Sequence, residues 1–170
     1  TDNPRTDTNV SVNITVTANY AIDVFVLTYN AGSGGSIVGS TPQNVNCGSN
    51  GAQVTATPNA CYHFISWSDG ILTAARTELN VVANKTVTAN FGINVYTFTY
   101  TAGYGGLING TSPQTLDCGE NGSVVEAIAN SCYHFVKWSD NSTTNPRTDI
   151  NASANISVTA SFTIDTFTLT

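Results

Sequence analysis

The sequence predicts an all-β protein built from tandem modules of about 71 residues, and three observations support this prediction. Cys47 and Cys118 lie 71 positions apart, as do Trp67 and Trp138, so one unit occurs twice. Thr and Val, which favour strands, and Asn, Gly and Ser, which favour turns, dominate a chain with only five Lys and Arg residues. Apolar and polar residues also alternate with period two in several segments. We expect each module to be a small sheet or sandwich with essentially no helix.

The repeat period also predicts how the chain is divided. Residues 3–7 recur at 145–149, which is twice the period, and the last residues begin a further copy of the segment that starts at Tyr96. We predict the C-terminal part of a preceding repeat at 1–21, full repeats at 22–92 and 93–163, and the start of a following repeat at 164–170.

Alternation and turn residues place the strands within this period. We predict strands at 10–18, 24–29, 36–38, 51–57 and 62–67, with copies of the first at 81–91 and 152–162. Phe64 and Trp67 are three residues apart, which breaks strict alternation, so we expect a bulge or a strand that ends at Ser66. Residues 72–79 align with a segment that contains Pro146, a helix breaker, so we predict an irregular stretch leading into a short strand.

Each repeat is expected to bury its aromatic strand. The predicted structural core is Phe64, Trp67 and Phe91 in the first repeat, and Phe135, Trp138 and Phe162 in the second.

The four cysteines form two equivalent pairs. The members of a pair lie 14 positions apart, whereas the cysteines of zinc sites usually lie two to four residues apart. We therefore predict one disulfide within each repeat, Cys47–Cys61 and Cys118–Cys132. In the chain-entropy model a loop of this length is worth roughly 3 kcal/mol. Disulfides also predict an oxidising compartment, so we expect an extracellular protein, either secreted or held at the cell surface.

Two further pairs of equivalent residues invite a chemical interpretation. His63 and His134 each lie between Tyr and Phe on a strand, and we expect packed or edge histidines. Asp69 and Asp140 follow Trp-Ser, where a bond from the side chain to the backbone of a turn explains them. Calcium at these turns is the alternative, although the spacing of a known calcium loop is missing.

Three equivalent arginines occur in this cation-poor chain. Arg5, Arg76 and Arg147 each precede an acidic residue by two positions. We predict a structural role, either a pair with that acid or stacking on Trp or Tyr. The alternative is an exposed arginine on a turn.

The net charge and composition exclude several classes of partner. A formal charge of −6 argues against nucleic acid, which requires a basic surface. It also argues against binding to a membrane surface, and we expect no membrane insertion, because no apolar run reaches the roughly 18 residues of a spanning helix. We expect no catalytic residue and no cofactor, because modules of about 70 residues rarely hold a cleft. We also expect no metal, because zinc would need several more ligands near the histidines.

The repeated motifs resemble the divergent internalin B-repeat family over the whole chain. The residues that match are Phe135, Trp138, Ser139, Asp140, the Asn-Pro-Arg-Thr segment 145–148 and the Val-Thr-Ala-Ser-Phe segment 158–162. The resemblance implies small β-rich modules arranged in arrays on secreted or surface-anchored proteins, where they serve as spacers or adhesive stalks. No catalytic residue belongs to the family motif. The cysteines depart from it, because many members have Gly where Cys61 and Cys132 stand.

We therefore predict a non-catalytic extracellular repeat that forms a stalk, an adhesin shaft or a surface filament. Its partners would be neighbouring repeats or identical subunits joined by strand addition, and a glycan or host surface. The alternative is a carbohydrate-binding or other ligand-binding module with Tyr29, Tyr100 and Tyr104 as its platform. Burial of Trp67 and Trp138 would favour a structural core over such a platform.

Overall fold

The computed structural model, which describes residues 4–169, contains the same order of strands twice. Residues 1–3 of the predicted preceding repeat and Thr170 of the predicted following repeat lie outside the described residues. The first repeat contains β1 (Val24–Ala31), β2 (Gly35–Val38), β3 (Gln43–Asn46), β4 (Val54–Pro58), β5 (Tyr62–Trp67), β6 (Ala75–Arg76) and β7 (Lys85–Ile93). The second contains β8 (Val95–Ala102), β9 (Gly106–Asn109), β10 (Gln114–Asp117), β11 (Glu126–Ala129), β12 (Tyr133–Trp138) and β13 (Ile156–Ile164). The predicted all-β class is confirmed, since residues 4–169 form no helix.

The larger sheet of the first repeat has the strand order β3-β1-β7-β5. Strands β1 and β7 run parallel, from the pair Leu27 and Lys85 to the pair Ala31 and Ala89. The two outer strands are antiparallel to their neighbours. The register of β5 on β7 shifts between Phe64 and Ser66, so the predicted bulge is confirmed.

A smaller sheet completes each repeat. In the first repeat it has the order β2-β4-β6, and in the second it is the pair β9-β11, with an isolated bridge between Val125 and Arg147 in place of β6. The larger sheet of the second repeat, β10-β8-β13-β12, reproduces the first, including the parallel pairing of β8 with β13.

The two sheets of a repeat enclose one core, at the centre of which lies a tryptophan. Trp67 and Trp138 are both 0% exposed. The indole Nε1 of Trp67 donates to the Thr73 carbonyl at 3.1 Å, so burial leaves no polar atom of this side chain unpaired. Partly buried phenylalanines pack around the tryptophans, namely Phe64 and Phe91 in the first repeat, and Phe135 and Phe162 in the second.

The strand predicted at 10–18 is wrong. Residues 10–23 form no strand, and Val12 is 73% exposed. Its copies β7 and β13 each lie between two strands of their own repeat. Among the described residues the segment 10–22 has no such pair of strands beside it, because β1 and β5 are already joined through β7. Alternation of apolar and polar residues therefore indicates only that a segment is able to form a strand. In the segment 10–18 the apolar face is exposed to solvent.

No helix in residues 4–169 is both long and apolar enough to cross a membrane.

Candidate functional site

A single residue, Asn94, connects the two repeats. It follows the last residue of β7 and precedes the first residue of β8. Its N–H donates to the carbonyl of Cys61 at 2.8 Å, and its own carbonyl accepts from the N–H of Cys118 at 2.8 Å. We define the repeat junction as Asn94, its two backbone bonds, and the cysteines Cys61 and Cys118.

A disulfide between Cys61 and Cys118 closes the junction, with their Cα atoms 5.4 Å apart. The predicted pairing Cys47–Cys61 and Cys118–Cys132 is therefore wrong. Because β1 and β7 run parallel, the start of β1 and the end of β7 lie at opposite ends of the sheet. Cys47 lies at the first end and Cys61 at the second, so they cannot meet. Cys61 meets the next repeat instead.

Half of a junction is present at each remaining cysteine. The N–H of Cys47 donates to the carbonyl of Asp23 at 2.8 Å, as Cys118 does to Asn94. The carbonyl of Cys132 accepts from the N–H of Asp165 at 2.7 Å, as Cys61 does from Asn94. Cys47 and Cys132 are exposed and carry no disulfide. Asp23, Asn94 and Asp165 are repeat equivalents.

The predicted histidines also lie at this position of each repeat. The Nδ1 atom of His63 lies 2.9 Å from the side-chain oxygen of Asn94, and that of His134 lies 2.6 Å from Asp165. Both histidines are exposed edge residues of their sheets. Among residues 4–169, no group of three or more His, Cys, Asp and Glu side chains has a geometry that would hold a metal ion.

The second cluster is built around Arg76, which is 5% exposed. Its Nη1 and Nη2 atoms donate to the two carboxylate oxygens of Asp69 at 3.0 and 2.9 Å, and its Nε donates to Glu78 at 2.9 Å. The guanidinium also contacts Glu78 through Nη2 and stacks over the ring of Trp67. Both predicted roles, ion pairing and stacking, thus occur at this one residue, and the guanidinium fits because its planar fork serves both.

Lys85 adds a second cation to this cluster. Its Nζ lies 2.9 Å from Glu78 and 3.1 Å from Asp69. The hydrogen bond from Arg76, aided by that from Lys85, holds the pKa of Asp69 well below its ordinary value, although partial burial opposes the shift. Burial raises the pKa of Glu78, but hydrogen bonds from Lys85 and Arg76 outweigh it and the net shift is downward. Both carboxylates are therefore ionised in the folded protein at neutral pH.

The second repeat builds the same cluster with fewer charges. Arg147 pairs with Asp140 at 3.0 Å and with Asp149 at 2.6 Å, and lies over the ring of Trp138. Ile156 stands where the first repeat has Lys85. The hydroxyl of Tyr100 donates to Asp149 at 2.8 Å, and burial together with this bond raises the pKa of Tyr100.

The third equivalent arginine is exposed. Arg5 pairs with Asp7 at 2.7 Å, and both side chains face solvent. The alternative reading of an exposed arginine on the surface thus describes this copy alone among the three.

The predicted sugar platform is mostly inside the protein. Tyr29 and Tyr100 are each 3% exposed and line the cores next to the tryptophans. Only Tyr104, at 88% exposed, faces solvent, where its ring lies 5.8 Å from that of Tyr133.

Sequence reasoning missed a buried amide in each repeat. The side-chain Nε2 of Gln43 donates to the carbonyls of Ser40 and Ala52 at 2.9 and 3.0 Å, and its Oε1 accepts from Ala52 at 2.8 Å. Gln114 makes the equivalent bonds in the second repeat. The recurring Pro-Gln pair was the available signal, because an amide that recurs next to a turn residue suits a loop clamp.

A family model described as the divergent InlB B-repeat domain matches residues 25–95 and again residues 96–166. The chain belongs to the divergent InlB B-repeat family. No curated protein and no solved structure matches the chain.

Each match contains one copy of the fold except for the first residue of its first strand. The boundary between the two matched ranges falls between Val95 and Tyr96, one residue into β8 and beside the repeat junction. One B-repeat thus runs from its first parallel strand to its last. Proteins of the divergent InlB B-repeat family are generally surface or secreted bacterial proteins, and membership of this family suggests an extracellular repeat module.

Proposed function

We propose that the chain is a non-catalytic mechanical element, a section of a stalk, an adhesin shaft or a surface filament. The observation that supports this is the parallel pairing of β1 with β7. β1 begins the B-repeat and β7 ends it, so tension along the chain pulls these neighbours in opposite directions along their own axes. The backbone hydrogen bonds that join residues 27–31 of β1 to residues 85–89 of β7 then bear this tension together.

The repeat junction suits the same role. Tension passes from β7 through Asn94 to β8, and the Cys61–Cys118 disulfide links β5 to the end of β10 beside that path. β5 pairs with β7, and β10 pairs with β8. The strands that flank the path are therefore bonded covalently across the junction, and separation of the two repeats requires more than the loss of hydrogen bonds.

The charged groups also favour a structural role. Arg76, Asp69, Glu78 and Lys85 are engaged with one another around the core. A catalytic acid or base needs a partner in a cleft where a substrate can reach it. We therefore propose that these groups stabilise the fold and do not react.

Single-molecule force spectroscopy on the first repeat tests the proposal. Handles at Asp23 and Val95 load β1 and β7 in shear, whereas handles at Asp23 and Ala83 pull the same two strands apart from one end. Ala83 is exposed and serves as the matched attachment point. We expect a several-fold higher unfolding force in the first geometry. Equal forces in the two geometries would overturn the mechanical role.

One observation favours a second candidate, a carbohydrate-binding surface. Tyr104 is exposed against Tyr133, and the first repeat has Ser33 where Tyr104 stands. The substitution Tyr104→Ser, which installs the residue of the other repeat, leaves any structural role intact. Binding of a glycan by the natural chain and its loss in this variant would establish this candidate.

A further inference from the structure

We propose that Cys47 and Cys132 are the two halves of a junction between chains, so that Cys132 of one chain forms a disulfide with Cys47 of a second copy. The inference rests on the proposed role as part of a shaft and names the partner that extends it. Chains would join head to tail, in the manner in which Cys61 and Cys118 join the two repeats.

The first support is the backbone geometry at the two free cysteines. Cys47 already has the bond to Asp23 that Cys118 makes to Asn94, and Cys132 already has the bond from Asp165 that Cys61 receives from Asn94. Each cysteine is thus held as its bonded equivalent is held. The two halves are complementary, because Cys47 contributes an N–H to the connecting residue and Cys132 a carbonyl. Two copies of the same half cannot rebuild the junction.

The second support is the segment that precedes β1. Residues 14–23 are the repeat equivalents of residues 156–165, which comprise β13 and the residue after it. The apolar positions correspond in order, Ile14 to Ile156, Val16 to Val158, Ala18 to Ala160, Tyr20 to Phe162 and Ile22 to Ile164, and Asp23 corresponds to Asp165. In β13 two of these five side chains, Val158 and Ala160, are buried, whereas the equivalent Val16 and Ala18 are exposed.

These two supports fit together through the connecting residue. In the observed junction one residue, Asn94, connects the two repeats and makes a backbone bond to each cysteine, so the connecting residue must come from one chain alone. We infer that residues 14–22 of the incoming chain take the place of β13 between β8 and β12, and that its Asp23 replaces Asp165. Its β1 then continues from Asp23 as β8 continues from Asn94, which brings Cys47 beside Cys132. Exchange of equivalent elements between chains costs little, because one set of strand contacts replaces another.

Bond formation is an oxidation of two thiols. The Cys47 and Cys132 thiols lose two protons and two electrons as the S–S bond forms. A low-molecular-weight disulfide such as oxidised glutathione accepts them and becomes two thiols. An oxidising compartment supplies this class of oxidant.

The test incubates the 170-residue chain with reduced and oxidised glutathione. Products are separated on non-reducing gels, and their disulfides are mapped by mass spectrometry. We expect a ladder of covalent oligomers that contain the Cys47–Cys132 peptide, with Cys61–Cys118 intact in each. The variants Cys47→Ser and Cys132→Ser should each stay monomeric alone. Their equimolar mixture should give a covalent dimer and nothing longer, because it holds one complete pair of halves.

Two results would overturn the inference: a natural chain that stays monomeric, or a Cys47→Ser variant that dimerises alone as readily as the mixture, which would reveal unspecific thiol pairing. A further pair of variants tests the exchanged strand. Val16→Asp with Ala18→Asp places charges on positions that the exchange would bury, and should abolish the ladder.

Val12→Asp is the matched control for that pair, because its equivalents Ala83 and Ala154 are exposed, and it should leave the ladder unchanged. A ladder that survives Val16→Asp with Ala18→Asp rejects the exchange. The force measurement uses a single chain, so failure of the covalent ladder and failure of the mechanical role are distinguishable.

Discussion

The guanidinium carbon of Arg76 lies 4.8 Å from the centre of the Trp67 ring, and the same guanidinium binds Asp69 and Glu78. One side chain therefore joins the aromatic core to the carboxylates around it. We predict that Arg76→Leu lowers the free energy of unfolding by roughly 3–5 kcal/mol, because it leaves partly buried carboxylates without their main partner. Denaturant unfolding followed by tryptophan fluorescence measures the change.

Arg5→Leu is the matched control. Arg5 makes the equivalent pair with Asp7 in an exposed position, so its loss should cost less than about 1 kcal/mol. Equal effects of the two substitutions would show that the contact with Trp67 and the burial of Arg76 contribute nothing.

Acid should destabilise the first repeat before the second. The pKa values of Asp69 and Glu78 are lowered from ordinary values of 3.8 and 4.5, so their ion pairs contribute stability above those values and lose it as the pH falls through the folded values. In the second repeat the pKa of Asp140 is lowered, chiefly by its hydrogen bond from Arg147. The indole N–H signals of Trp67 and Trp138, followed by NMR below pH 5, should disappear in that order.

The variant Glu78→Gln sharpens this test, since it removes one titrating group from the first repeat. The gap in pH between the loss of the two indole signals should then narrow. Simultaneous loss of both signals in the natural chain would contradict the assignment of acid sensitivity to these carboxylates.

The disulfide at the repeat junction should contribute more than either free cysteine. Cys61 and Cys118 are separated by 57 positions, and a loop of that size is worth about 4 kcal/mol in the chain-entropy model. We predict a loss of that order for Cys61→Ser in denaturant unfolding. Cys47→Ser, at an exposed and unbonded cysteine, should change stability by less than about 0.5 kcal/mol. A comparable loss in both variants would refute the prediction.

The buried amide of Gln43 is a fourth target. Gln43→Met keeps the length of the side chain but leaves the Ala52 N–H and the carbonyls of Ser40 and Ala52 without their partner. We predict a loss of roughly 2–3 kcal/mol, measured by thermal unfolding, because buried polar groups left unpaired are costly. Gln53→Met, at an exposed glutamine ten positions away, is the control and should leave the transition unchanged.

The sequence alone predicts those features that depend on local pattern. The period follows from equivalent residues such as Trp67 and Trp138, and the bulge after Phe64 follows from broken alternation. The disulfide could not be predicted in this way. Spacing gives the length of the loop between Cys47 and Cys61, whereas the parallel pairing of two strands about 60 positions apart decides which cysteines meet.

The prediction of a strand at 10–18 was wrong for a related reason. Its alternation is as regular as that of β7, but a strand exists only where other strands offer hydrogen bonds on its edges. The sequence of a segment does not show which strands will lie beside it in the fold. The prediction that Tyr29 and Tyr100 form a sugar-binding platform was wrong because an aromatic residue on a strand is equally suited to a core and to a surface. Tertiary packing, which the local sequence does not show, decides between the two.

The connection through Asn94 has a consequence for any array that repeats it. One residue, two backbone bonds and one disulfide fix both the rise and the rotation from one B-repeat to the next. Identical steps compound into a helix, so such an array would be a stiff rod with a constant pitch. Reduction of the disulfides would free the rotation between successive repeats and convert the rod into a flexible chain.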